Sequence, residues 1–152
     1  MLCKNPWVSP GNAMFGCGGC RQCSINKRRK WTIRILAEQG MHKKSSFVTL
    51  TYDEENLPDR DKYKGGNLCK EDYQKFLKSL RKRLPPKSLR YFLVGEYGDK
   101  SGRAHYHICL FGLDKSDSKL IKECWNKGFV YIGTLTKDSA QYDRDRDWET
   151  RK

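Results

Sequence analysis

Alternation of apolar and polar positions organises most of this chain. In residues 46–52, Val48, Leu50 and Tyr52 alternate with Phe47, Thr49 and Thr51, the period-two pattern of a strand with one buried face. A polar loop with Pro58 and Gly65-Gly66 follows over 53–67. Over 71–84 the apolar positions Tyr73, Phe76, Leu77, Leu80 and Leu84 recur at helical spacing, and Pro85-Pro86 stops the run, so an amphipathic helix is predicted there. Two further strands, 90–96 and 104–111, are joined by the turn-forming residues 97–103 and should pair antiparallel. A short helix over 118–127 would bury Leu120, Ile121, Cys124 and Trp125 and stop at Gly128, before a last strand at 129–133. Asp138 or Ser139 would then cap a helix starting at Ala140.

Read from residue 46, the order is β-α-β-β-α-β. That is the α+β, ferredoxin-like (split βαβ) plan of a four-stranded antiparallel sheet. Both helices should cover one face, the first and third strands should be central, and the other face should stay open. Ahead of this unit, residues 24–39 read as a basic helix with Ser24 as its N-cap, a sparse apolar stripe of Ile25, Trp31 and Ile35, and Gly40 as its stop.

Charge changes the picture from fold to partner. The 152 residues carry 31 Lys and Arg against 18 Asp and Glu, a net +13, which points to a polyanion. The excess is concentrated: Lys75 to Arg90 holds seven basic residues and no acid, and Ser24 to Lys44 holds seven opposed only by Glu38. In the first helix, Lys27, Arg28, Arg29, Lys30 and Arg34 are the expected phosphate contacts. No apolar run reaches the roughly 18 residues that a membrane helix needs, and the first residues lack the apolar stretch of a signal peptide; a soluble intracellular protein is expected. No GxxxxGK[ST] motif is present, which argues against an ATP-driven motor.

Two clusters carry candidate chemistry. Of seven cysteines, Cys17, Cys20 and Cys23 form one run with Cys3 upstream. In a reducing compartment this spacing favours a four-thiolate zinc site over disulfides, with unligated thiols and an iron–sulfur cluster as alternatives. Cys69, Cys109 and Cys124 sit in apolar patterns and are expected to be small buried hydrophobes. His105 and His107, two apart on one strand, project from the same face, and the 97–103 hairpin should bring Glu96 beside His105. Two imidazoles and a carboxylate leave open positions on a divalent cation, as a catalytic metal requires. The third histidine, His42, is expected to be solvated.

The segments Phe-Val-Thr-Leu-Thr-Tyr (47–52), Gly-Glu-Tyr-Gly (95–98) and Gly-Arg-Ala-His-Tyr-His-Ile-Cys-Leu-Phe-Gly (102–112) resemble the HUH endonucleases, in which U is a bulky hydrophobic residue. More narrowly the chain is similar, over about residues 3–142, to the replication initiators of gokushovirus-type single-stranded DNA phages, which also begin with a cysteine run and a basic helix. The resemblance implies a rolling-circle replication initiator. Such an enzyme nicks single-stranded DNA at a replication origin through a tyrosine nucleophile, with Mg²⁺ or Mn²⁺ held by His105, His107 and Glu96. It further implies that Tyr142, in Ser-Ala-Gln-Tyr (139–142), is the nucleophile, that host replication machinery is a partner, and that the site of action is the host bacterial cytoplasm. The expected organisation is a Cys-rich, zinc-binding segment at 1–23, a nuclease domain at 24–142 and a charged tail at 143–152, where the chain leaves the family pattern and is expected to be truncated. A non-catalytic zinc-stabilised DNA-binding module, and a transposase or relaxase of the same fold, are the alternatives.

Overall fold

In the computed structural model, which describes residues 3–140, a small β-hairpin and a long helix precede a four-stranded sheet. The hairpin pairs β1 (Trp7–Val8) with β2 (Met14–Phe15), and α1 (Arg21–Gly40) follows. The sheet comprises β3 (Ser45–Tyr52), β4 (Arg90–Tyr97), β5 (Ala104–Phe111) and β6 (Gly128–Gly133) in the order β4-β5-β3-β6, every pair antiparallel. Two crossover helices complete the unit, α2 (Lys70–Lys82) and α3 (Ser118–Cys124). This is the predicted α+β ferredoxin-like plan, with the first and third strands of the unit central.

Period two decides which residues meet. Val48, Leu50, Tyr52, Tyr106, Ile108 and Leu110 point to one face, where α2 delivers Phe76, Leu77 and Leu80 and α3 delivers Ile121. At roughly 1.5–3 kcal/mol per buried aliphatic or aromatic side chain, this layer dominates the hydrophobic stabilisation of the sheet. A polar seam runs through it. Tyr52 donates to Asp72 at 2.9 Å, Tyr106 lies 3.0 Å from the Tyr52 hydroxyl, and the Cys69 amide donates to Tyr106 at 2.7 Å, which ties the start of α2 to the central strands. Burial first, and then the hydrogen bond between them, pushes the Tyr52 phenol far up, so it stays protonated as a donor.

The opposite face departs from expectation. It is open only at one end, because α1 lies over the other: Ile35 packs with Phe47, Cys109, Phe111, Leu135 and Ala140, and Trp31 stacks against Phe92 at 5.0 Å. The Gln39 amide donates to the Leu135 carbonyl at 2.8 Å and locks helix to sheet.

Several local expectations also change. α1 is capped by Cys20 and not by Ser24, and the Cys20 sulfur accepts the Cys23 amide. It ends through Gly40 on Met41 in a right-handed conformation, so Gly40 does not act as a left-handed stop. The last helical turn begins at residue 137, one turn earlier than Ala140. Thr136 and Ser139 cap it reciprocally, Ser139 N–H to Thr136 Oγ1 at 3.2 Å and Thr136 N–H to Ser139 Oγ at 2.7 Å. Gly128 opens β6 and does not close a helix: at φ +154° a Cβ there would run into the Thr51 carbonyl oxygen. Cys109 and Cys124 are buried as expected, but Cys69 is half-exposed at the N-cap of α2 with its thiol 3.3 Å from Glu71. His42 is not freely solvated; it bonds Glu38 at 2.6 Å and packs on Phe111.

Candidate metal centres

The open end of the sheet carries the first centre. Register places Glu96 opposite His105 and Val94 opposite His107, so adjacent strands put all three functional side chains on one face. His105 Nε2 and His107 Nε2 lie 3.5 and 3.6 Å from the same Glu96 oxygen, Oε2, distances of an ion-pair contact and not of hydrogen bonds. Both Glu96 carboxylate oxygens are buried and accept no hydrogen bond. A carboxylate in that state costs free energy unless a cation faces it. Burial by itself would raise the Glu96 pKa; the two imidazoles outweigh it and hold the carboxyl at about 2, so it is charged and ready to ligate.

The ring nitrogens turned away from Glu96 are anchored. His105 Nδ1 donates to the Arg103 carbonyl at 3.0 Å, which leaves Nε2 with its lone pair in the neutral ring. His107 Nδ1 lies 2.9 Å from Thr49 Oγ1, and Phe47 stacks on the ring at 5.4 Å. Such anchoring of the distal nitrogen is how proteins orient metal-binding histidines. The Nε2···Oε2 separations are close to the ~3.0–3.4 Å edges of a coordination polyhedron with bonds near 2.1 Å. The donor set therefore fits a divalent cation that keeps open positions.

The second centre gathers Cys3, Cys17, Cys20 and Cys23, whose sulfurs all lie within 4.8 Å of one another. Cys3 Sγ and Cys20 Sγ are 3.9 Å apart, near the ~3.8 Å edge of a tetrahedral zinc–thiolate site. The Cys17 amide donates to Cys3 Sγ at 3.3 Å. Amides of Lys4 and then Cys23 hold the Cys20 thiol down at about 6. Cys23, despite the Gly18 amide that lowers it, is pushed up to about 11 by burial and the neighbouring sulfurs. Four sulfurs thus compete for protons that one cation could replace. Because α1 starts at Arg21, Cys23 belongs to its first turn.

Lys27, Arg28, Arg29, Lys30 and Arg34 all lie on α1; Arg34 stacks its guanidinium over Trp31 at 5.2 Å. Tyr142 and residues 143–152 lie outside the described residues. Thr49 is the site residue that motif reading missed, although its place in the Thr-rich strand, on the same face as Phe47 and Thr51, was the available signal.

Fold and site together define a class: a ferredoxin-like sheet whose open end presents a two-histidine, one-carboxylate group able to hold a metal. The profile of the family of replication-associated proteins typified by ORF2 matches residues 45–143, and the chain belongs to that family. It is 36% identical over 150 residues to the replication-associated protein ORF2 of Spiroplasma virus 4, covering 86% of this chain and 47% of that one. It is 32% identical over 150 residues to the replication-associated protein VP4 of Bdellovibrio phage phiMH2K, covering 84% and 46%. The chain thus spans about half the length of these curated relatives. The crystal structure of hypothetical protein ORF119 from Sulfolobus islandicus rod-shaped virus 1 shares the fold at TM-score 0.52 and 17% identity, covering 78% of this chain and 97% of that one.

Proposed function

We propose that this chain initiates rolling-circle replication by nicking single-stranded DNA at an origin, in the host bacterial cytoplasm and together with the host replication machinery. The observation that carries the reading is the buried Glu96 carboxylate, without a hydrogen-bond donor and facing two oriented imidazoles. His105, His107 and Glu96 would hold Mg²⁺ or Mn²⁺, which when bound polarises the scissile phosphate and offsets its developing charge. Tyr142 is the proposed nucleophile. Its oxygen forms a bond to phosphorus and loses its proton; the bond from phosphorus to the 3′ oxygen breaks, and that oxygen leaves as a hydroxyl after taking up a proton. The product is a 5′-phosphotyrosine link and a free 3′-OH that can prime synthesis.

In this reading residues 24–142 form the nuclease domain, α1 contacts phosphates through Lys27, Arg28, Arg29, Lys30 and Arg34, and the 1–23 segment is stapled by structural zinc on Cys3, Cys17, Cys20 and Cys23, with 143–152 a tail beyond the nuclease unit. The test is incubation with an origin-bearing single strand and Mn²⁺, followed by denaturing electrophoresis. A covalent protein–DNA band is expected from the wild type and not from Tyr142→Phe; a band that persists in the variant assigns the nucleophile elsewhere, and no band under any metal rejects the reading.

A further inference from the structure

Edge strand β6 breaks the usual rule for outward-facing positions. Val130 and Ile132 pack inward, while Phe129 and Tyr131 turn to the opposite face and remain 69% and 67% exposed. An exposed apolar edge invites aggregation, and edge strands are normally blunted by charge or proline. Here two aromatics stand at that edge, and they stand in register with the metal centre. One row across the sheet reads Glu96, His105, Thr51, Phe129; the next reads Val94, His107, Thr49, Tyr131. Each ring therefore lies two strands, ~10 Å, from the corresponding imidazole.

We infer that Phe129 and Tyr131 form a base-stacking platform that lays single-stranded DNA across the open end of the sheet and leads its backbone to the metal centre. The inference rests on the nicking proposal for the identity of the strand. Spacing supports it: residues two apart on a strand are ~6.8 Å apart, twice the ~3.4 Å rise of stacked bases, so each ring can take a base or the pair can admit one between them. Charge supports it too. The protein carries +13, and on the two rows named above Glu96 supplies the only carboxylate, which faces the imidazoles. Between rings and imidazoles lie the hydroxyls of Thr49 and Thr51 in place of bulky groups, so a strand can cross. Gly133 adds room: a Cβ there would come within 3.3 Å of the Tyr131 ring, which lies back over it. Stacking on aromatic side chains tolerates any base, as suits a strand that must be threaded as well as recognised.

The test measures the affinity of a fluorescein-labelled oligo-dT strand, and of an abasic deoxyribose-phosphate strand of equal length, in buffer with EDTA. Phe129→Leu and Tyr131→Leu should each weaken oligo-dT binding about tenfold, and the double variant about a hundredfold. Leucine keeps an apolar side chain on the strand, and Phe129→Trp with Tyr131→Phe should restore near-native affinity. The abasic strand carries the same charge but nothing to stack, so its affinity should be equal in wild type and double variant. Unchanged oligo-dT affinity in the double variant overturns the platform, as does an equal loss on the abasic strand. A double variant that alters self-association but not DNA affinity assigns the patch to a second copy and overturns it as well. Failure of the nicking proposal reads differently: wild type and double variant then differ in oligo-dT affinity, yet neither forms the covalent adduct with Mn²⁺.

Discussion

The thiol cluster and the sheet centre solve the problem of holding a cation from opposite starting points. Cys3, Cys17, Cys20 and Cys23 come from one short stretch whose only regular structure is a four-residue hairpin and the first turn of α1. Such a segment has little apolar area to bury, so its order must come from its ligands. Glu96, His105 and His107 instead ride on strands already fixed by the core that Leu50, Tyr106 and Ile108 share with α2. Four sulfurs close a tetrahedron; two imidazoles and a carboxylate leave positions open. The contrast teaches that the first centre makes structure and the second spends structure on chemistry.

The largest effect should follow Cys20→Ser. Serine is itself a preferred N-cap, so the substitution spares the start of α1 while it removes a thiolate. Bound zinc should fall by at least about a thousandfold in affinity, and amide protection should vanish over residues 3–20 while persisting in β3 and β5. Loss of protection in the sheet as well would show that the two regions fold as one.

Glu96→Gln is the matching break on the other side. Metal affinity at the sheet and adduct formation should each drop by more than about a hundredfold, measured by calorimetry and by the nicking assay, with the fold intact. In metal-free protein the sign depends on pH. Because the folded-state pKa is depressed to about 2, the stability contributed by the charged carboxylate is present above its ordinary pKa near ~4.3 and is lost as pH falls from there toward 2. The stability difference between wild type and Glu96→Gln should therefore change across that window and be flat above it, as read by denaturant titration.

The two regions also differed in how far the sequence disclosed them. The sheet centre was legible because period two fixes faces and the 97–103 hairpin fixes register, so Glu96 had to meet His105. The thiols were legible as a set but the hairpin between them was not, since Trp7–Val8 and Met14–Phe15 are too short to show a period. Nor was the cap of α1, because a thiol at the N-cap is not among the usual capping residues. The covering of half the open face escaped notice for a related reason: one buried residue, Ile35, among basic neighbours is a weak amphipathic signal, and only tertiary packing on Phe47 and Phe111 reveals its role. Thr49 became visible as the partner of His107 only once the β3–β5 register was known.

That partner gives a smaller prediction. Thr49→Val keeps the shape and removes the hydroxyl 2.9 Å from His107 Nδ1. Metal affinity at the sheet should fall about tenfold, with the thiol cluster untouched. Recovery in Thr49→Ser would tie the loss to the hydroxyl; equal affinity in Thr49→Val would mean that Phe47 stacking alone orients the ring.

The smallest effect concerns the element that joins the two regions. α1 begins in the thiol cluster at Cys20 and is pinned to the sheet through Ile35, so its basic residues are held in position from both ends. Lys30→Ala removes one exposed charge from it. Affinity for oligo-dT should fall less than tenfold near physiological salt, and the slope of log affinity against log salt should become shallower by about one unit, independent of sequence. The same substitution in the Cys20→Ser background separates the two anchors. If Ile35 alone keeps α1 in place, Lys30→Ala costs the same slope as before; if the thiol cluster is needed to hold the basic turn against DNA, Cys20→Ser has already removed that contact, and Lys30→Ala then changes nothing.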